Sequence, residues 1–188
     1  RILISPEPLA KRTVEGDLGV FVNMANLIES IGKDTLEKEL GFEISEILKS
    51  YNAIPKNKNE ISFVERLTKE AVLKALERHA GRIRNVYGPS GRSSLAEGKD
   101  LSEVKYIIGT GGALTRLPHR KEIMKSISQN NHTGLYLYPT EETEILVDND
   151  YILASLGVLS KVHKEASFSL MKKSLKLNEN QLIKSEVD

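Results

Sequence analysis

A strand pattern that ends directly in a cluster of glycines limits the possible folds of this chain more than any other feature. Residues 104–108 are short, β-branched and aromatic, as expected of a buried strand. They lead into Gly109, Thr110, Gly111 and Gly112. Pro118 then suits the first turn of a helix over residues 119–128. Strand, glycine turn and helix in this order are typical of an α/β sheet, so we predict a mixed α/β fold.

Helical and strand patterns continue on both sides of this turn. The longest predicted helix covers residues 62–87, because Ser62 and Glu65 form a capping box and apolar residues then recur at helical spacing. Residues 88–94 are predicted as a flexible loop, since they are rich in glycine, proline and serine. Further helices are predicted at 13–31, 34–41, 44–51, 150–162 and 166–175, and further strands at 1–5, 134–138 and 144–147.

Charge and residue usage exclude several classes of function. Lys and Arg number 27 against 26 Asp and Glu, so the formal net charge of +1 gives no basic footprint for nucleic acid or an anionic membrane. No apolar run approaches the roughly 20 residues of a membrane helix. The lack of cysteine excludes disulfides and thiolate chemistry, and the four histidines lack metal-ligand spacing. We expect a cytoplasmic protein that binds no metal through its side chains alone.

The glycines at the end of the predicted strand favour a ligand site. Without a β-carbon, Gly111 and Gly112 let a flat or phosphorylated ligand approach the main chain at the carboxyl edge of a sheet, where open α/β folds bind ligands. Two alternatives stay open. A tight turn without a ligand also needs glycine. A Rossmann-type site is the other, although Thr115 stands where its third glycine would be, and no phosphate-binding Gly-Lys-Ser/Thr motif is present.

The order of motifs around the glycines resembles the adenosine-binding half of actin-like, Hsp70-type ATPases. In that superfamily a Gly-Gly pair holds the adenosine, the Arg of a Thr-Arg-Ile-Pro motif packs near the adenine, and the Asp that starts the next helix lies close by. The turn here is one residue longer than in Hsp70. The positions implied by the resemblance are Gly109, Thr110, Gly111, Gly112, Ala113, Arg116 and Asp150.

A narrower resemblance covers residues 6–175. The chain is similar to the accessory family of adenosylcobalamin-dependent glutamate mutase, also called MutL and unrelated to mismatch repair. This resemblance implies an ATPase that reactivates or otherwise services such a mutase, with ATP or ADP and Mg²⁺ as cofactor and the mutase subunits as partners; an oligomer is possible. The motifs that carry it are Pro6-Glu7-Pro8, Arg12-Thr13-Val14-Glu15-Gly16-Asp17-Leu18-Gly19, Gly98-Lys99-Asp100-Leu101 and Leu146-Val147-Asp148-Asn149-Asp150-Tyr151.

Two carboxylates flank a glycine in the second of these motifs. Glu15 and Asp17 could orient water or Mg²⁺ near the phosphates of a nucleotide, because hard cations prefer oxygen ligands. The alternative is structural, since acidic residues in a first helical turn complement the helix dipole.

The resemblance also implies a domain organisation. Residues 1–188 would form the C-terminal lobe of an actin-like (ribonuclease H-like) ATPase, a mixed sheet flanked by helices, with residues 33–61 as a small helical subdomain. Arg1 is not an initiator Met, so we expect a longer protein. The resemblance implies that the first lobe and the catalytic residues precede Arg1 and that this segment alone does not hydrolyse ATP. Two other functions stay open: a small-molecule kinase of the same superfamily and a non-hydrolysing protein-binding module.

Overall fold

The computed structural model describes residues 2–5, 14–89, 91–129 and 134–177. The predicted strand breaks at Pro6 and Pro8, the helix cap at Thr13 and the tail beyond residue 177 lie outside the described residues. A single 3-10 turn covers Gly16–Leu18. The helices are α1 (Met24–Ile31), α2 (Lys33–Leu40), α3 (Ser45–Lys49), α4 (Lys58–His79), α5 (Gly112–Arg116), α6 (Arg120–Gln129), α7 (Leu153–Leu159) and α8 (Lys164–Leu175). The strands are β1 (Ile2–Ser5), β2 (Arg82–Gly88), β3 (Gly91–Glu97), β4 (Tyr106–Gly109) and β5 (Glu144–Val147).

The strands form two small sheets. In the first, the order is β1-β3-β2, with β1 parallel to β3 and with β2 and β3 forming an antiparallel hairpin. In the second, β4 and β5 run parallel. The prediction of a mixed α/β fold is therefore confirmed. Across the described residues, no helix combines the length and the hydropathy that crossing a bilayer requires.

The main hydrophobic core lies among the helices. Side chains of α1, α2 and α4 interlock there, and their burial removes apolar surface from water, which is the largest favourable contribution to folding. Residues from the predicted subdomain at 33–61 share this cluster with α1 and α4. The fully buried apolar side chains of the core are Leu27, Leu36, Ile44, Phe63 and Leu67.

The predicted helix at 62–87 is wrong at its C-terminal end. The helix stops at His79 and the chain continues as β2, which pairs with β3 where a loop was predicted. The reason is a close backbone crossing at Gly81 and Gly98. A β-carbon on Gly81 would lie 2.7 Å from the main chain of residues 97 and 98, so only glycine fits.

The predicted helix at 13–31 is also shorter in the structure, where it begins at Met24. Two side-chain amides satisfy the backbone carbonyls that a continuous helix would have used. Asn23 donates to the Gly16 carbonyl at 2.6 Å, and Asn26 donates to the Asp17 carbonyl at 3.1 Å. Such local side-chain bonds compete with helix formation, and here they hold the chain in a compact turn.

Two further predicted boundaries differ. Helix α4 starts one turn earlier than expected, because Asn57 accepts a hydrogen bond from the Glu60 amide at 3.0 Å and caps the helix there. Residues 134–138 form no named strand in the described part of the chain. They lie alongside the start of β2. An isolated β-bridge between Tyr136 and Arg82 and two neighbouring backbone hydrogen bonds join the two segments.

Strand β5 has the predicted bounds, and β4 lies close to its predicted position. However, β4 is less buried than expected: Tyr106 and Ile108 are 39% and 45% exposed. These two residues lie on the same face of the strand, which the described residues cover only in part.

Leu67→Ala should lower the free energy of unfolding by about 2–5 kcal/mol, because the substitution leaves a cavity in a fully buried site. Urea denaturation followed by circular dichroism measures this change. Lys69→Ala is the matched control: Lys69 lies on the exposed face of the same helix, so its loss should change stability by less than about 0.5 kcal/mol. Equal effects of the two substitutions would contradict the assignment of this core.

Candidate functional site

The carboxyl ends of β4 and β5 meet at one edge of their sheet. Gly109 pairs with Val147 in the parallel register, and the Asp148 amide donates to the Gly109 carbonyl at 2.9 Å. The residues that follow each strand, 110–112 and 148–150, therefore leave the sheet side by side. The structure thus brings the predicted glycine turn and the neighbourhood of Asp150 to the same place.

A buried carboxylate at this edge connects four parts of the chain. Asp148 has no exposed surface, and its carboxylate accepts four hydrogen bonds. The donors are the Ser174 hydroxyl (2.7 Å), the Thr110 hydroxyl (3.0 Å) and the amides of Leu153 (3.1 Å) and Ile152 (3.2 Å). Burial alone would raise the pKa of Asp148, but these hydrogen bonds outweigh it and hold the pKa below its ordinary value of 3.8.

The resemblance implied Asp150 as the site residue at this position, whereas Asp148 appeared only as part of a motif. Asp150 is exposed. Its backbone amide donates a hydrogen bond to the Ser174 hydroxyl at 3.1 Å. Helix α7 starts at Leu153, later than predicted, because Tyr151 has a left-handed backbone with φ 56°. The signal available in the sequence was position: Asp148 is the first residue after the apolar strand β5.

The glycine turn itself is open. Gly111 has φ 99°, which favours glycine, and a β-carbon on Gly111 or Gly112 would meet nothing within 4 Å. Gly109 differs, because a β-carbon there would lie 3.3 Å from the Met124 sulfur. Gly109 thus fits against the protein interior, whereas Gly111 and Gly112 present free main chain.

Beside the turn lies an open cleft of about 490 Å³. Gly112, Ala113 and Arg116 contribute to it from the turn and α5, and the remaining lining is apolar apart from the Tyr51 hydroxyl. Arg116 is exposed, and no hydrogen bond or ion pair joins its guanidinium to the described residues. The other lining residues are Val20, Phe21, Tyr51, Ala53, Ile54, Pro55, Ile61, Val64, Leu117 and Pro118.

Two aromatic residues of this cleft were not predicted as site residues from the sequence. Phe21 and Tyr51 stack with ring centroids 5.4 Å apart, and Tyr51 meets the edge of Phe63 at 5.8 Å. The Tyr51 hydroxyl donates to the Val20 carbonyl at 3.1 Å, and burial raises the pKa of Tyr51 above its ordinary value. A signal was present: Val20, Phe21 and Val22 are consecutive, so they cannot all face the core from one side of a helix.

The two carboxylates of the N-terminal motif make a different contact. Arg78, near the end of α4, donates to Glu15 at 2.7 Å and to Asp17 at 2.9 Å. These hydrogen bonds raise the pKa of Arg78, and the one to Glu15 has the larger effect. Neither carboxylate lines the cleft beside the glycine turn, and their role near phosphates stays a prediction. In the described ranges, no group of three or more His, Cys, Asp or Glu side chains could hold a metal ion.

The sequence of this chain is similar to those of known proteins. A family model described as MutL protein matches residues 1–175. Protein MutL of Clostridium tetanomorphum is 36% identical over 176 residues, which cover 90% of this chain and 38% of that protein. The chain therefore spans well under half the length of this relative. No solved structure matches the chain.

The buried carboxylate predicts a stability change that depends on pH. Because the folded-state pKa of Asp148 is lowered, its contribution is fully present above the unfolded pKa and is lost as the pH falls through the folded pKa. Asp148→Asn should cost roughly 1.5–3 kcal/mol at pH 7, since an amide group would face hydrogen-bond donors. Urea denaturation at pH 7, 5 and 3 should show a smaller loss on acidification for this variant than for the unsubstituted protein. Asp150→Asn, two residues away and exposed, serves as the control and should leave the pH profile unchanged.

Proposed function

Since this chain belongs to the MutL family, we propose that it supplies the adenosine-binding part of an ATP-dependent accessory protein for an adenosylcobalamin-dependent mutase such as glutamate mutase. The family predicted from the sequence is thereby confirmed. The ATPase activity, the mutase partner and the actin-like architecture are part of the proposal.

The open glycine turn beside an apolar cleft carries this proposal. Adenosine needs a flat apolar surface for its base and a close approach to the protein for its ribose. The free main chain at Gly111 and Gly112 supports the second need, and the cleft next to Gly112 supports the first. Arg116, with donors that no described residue uses, would offer hydrogen bonds or a cation to the bound nucleotide. The residues present therefore fit an adenine nucleotide.

The Asp148 network suggests how a nucleotide at the turn would affect the rest of the protein. When bound, ATP or ADP with Mg²⁺ supplies a difference in affinity between two conformations. Thr110 joins the glycine turn to Asp148, and Asp148 joins it in turn to α7 and to Ser174 of α8. A shift of the turn would thus be transmitted to these two helices. We propose that this motion belongs to a domain closure that acts on the mutase.

Nucleotide titration of the complete protein tests the binding step. Arg116→Ala should weaken the binding of both ATP and ADP about 10-fold, the loss expected for one partly exposed cationic contact of about 1.4 kcal/mol. Isothermal titration calorimetry measures the change. Arg92→Ala removes an exposed cation on β3 outside the cleft and should bind nucleotide as the unsubstituted protein does. No nucleotide binding, or equal binding by both variants, would contradict the proposal.

Assays with the mutase separate this function from its alternatives. Hydrolysis of ATP that increases when an adenosylcobalamin-dependent mutase is added would support the accessory role. Transfer of the phosphoryl group to a small molecule would instead identify a kinase. Mutase binding without any nucleotide requirement would identify a binding module.

A further inference from the structure

We propose that the cleft recognises the base of its nucleotide by stacking on Phe21, with Tyr51 as the residue that positions the Phe21 ring, and that it therefore selects purines over pyrimidines. This inference rests on the nucleotide-binding function proposed above and extends it to the identity of the base. Its evidence is the placement of these aromatic rings on the lining of the cleft.

The Phe21 ring is stacked against Tyr51 and still half exposed. Tyr51 stacks on it at an interplanar angle of 26°, which covers one face. Nevertheless, 48% of Phe21 is exposed, and this residue lines the cleft. An exposed aromatic face beside a cavity is the kind of surface on which nucleobases stack, with a contribution of about 1–3 kcal/mol per base.

Tyr51 fixes the ring through two contacts with the protein. Its edge-on contact with Phe63 anchors it to a residue that is fully buried in the core. Its hydroxyl donates to the carbonyl of Val20, the residue before Phe21. A tyrosine hydroxyl is protonated at neutral pH in any case, so it can donate this hydrogen bond, and burial raises the pKa of Tyr51 further. Phe21 is thus held at the cleft before any ligand binds.

The lining of the cleft favours selection of the base by the size of its stacking surface. Apart from Arg116 and the Tyr51 hydroxyl, the described lining side chains have no polar group, and the hydroxyl is already used by Val20. Arg116 carries only donors, which N3 or N7 of any purine can accept. No lining side chain therefore reads the exocyclic amine of adenine. A larger ring system gains more from stacking, so purines should bind more tightly than pyrimidines.

The test compares four ligands and three variants of the complete protein by calorimetry. The ligands are ATP, purine riboside triphosphate, CTP and inorganic tripolyphosphate; the variants are Phe21→Leu, Phe21→Trp and Val22→Ala. ATP and purine riboside triphosphate should bind within about 3-fold of each other, and CTP about 10-fold more weakly than ATP. Phe21→Leu should weaken ATP binding about 10-fold and leave tripolyphosphate binding unchanged. Phe21→Trp should retain ATP binding, and so should Val22→Ala, whose residue is 83% exposed and outside the cleft lining.

The outcomes distinguish this inference from the function on which it rests. If ATP binds and Arg116→Ala weakens it, but Phe21→Leu binds as tightly as the unsubstituted protein, stacking on Phe21 is refuted and nucleotide binding stands. A loss of 100-fold or more with purine riboside triphosphate would also refute it, because it would reveal hydrogen bonding to the amine. Absence of ATP binding in the unsubstituted protein would overturn the proposed function and this inference together.

Discussion

The buried carboxylate of Asp148 is the constraint on which the local architecture depends. A charge removed from water is costly unless hydrogen bonds replace its hydration, and four donors from three separate segments do so here. To supply them, Thr110 must follow β4 closely, α7 must begin near the end of β5, and Ser174 of α8 must face inward. One charged group therefore fixes where a turn, a helix start and a helix end meet.

The candidate site combines this rigid corner with a second, apolar surface. The corner leaves room beside Gly111 and Gly112, whereas the stacked rings of Phe21 and Tyr51 are anchored in the helical core by the edge-to-face contact of Tyr51 with Phe63. A polar network and an aromatic stack respond differently to small displacements. A hydrogen-bond network that is only half satisfied is costly, whereas stacked rings can shift slightly. This division suits a site that must stay in register at the sheet edge and still accept a ligand beside it.

Local patterns were enough to predict part of this arrangement from the sequence. Strand β5, helix α8 and the glycine turn each follow from spacing within a few residues. The end of α4 did not, because its cause is the contact of Gly81 with Gly98, which are distant in sequence. Asp148 was likewise passed over for Asp150, since burial and four donors appear only when the strands and helices are assembled. Phe21 was missed for the same reason: its partner Tyr51 is 30 positions away.

The segment that carries Phe21 is held at both ends by contacts of different strength. At one end, Arg78 binds Glu15 and Asp17, all three of them partly exposed, and exposed ion pairs contribute only about 0–1 kcal/mol. At the other end, Tyr51 ties Val20 to the buried core. The weak contact is thus the one made by the two carboxylates that the sequence suggested for a role near phosphates.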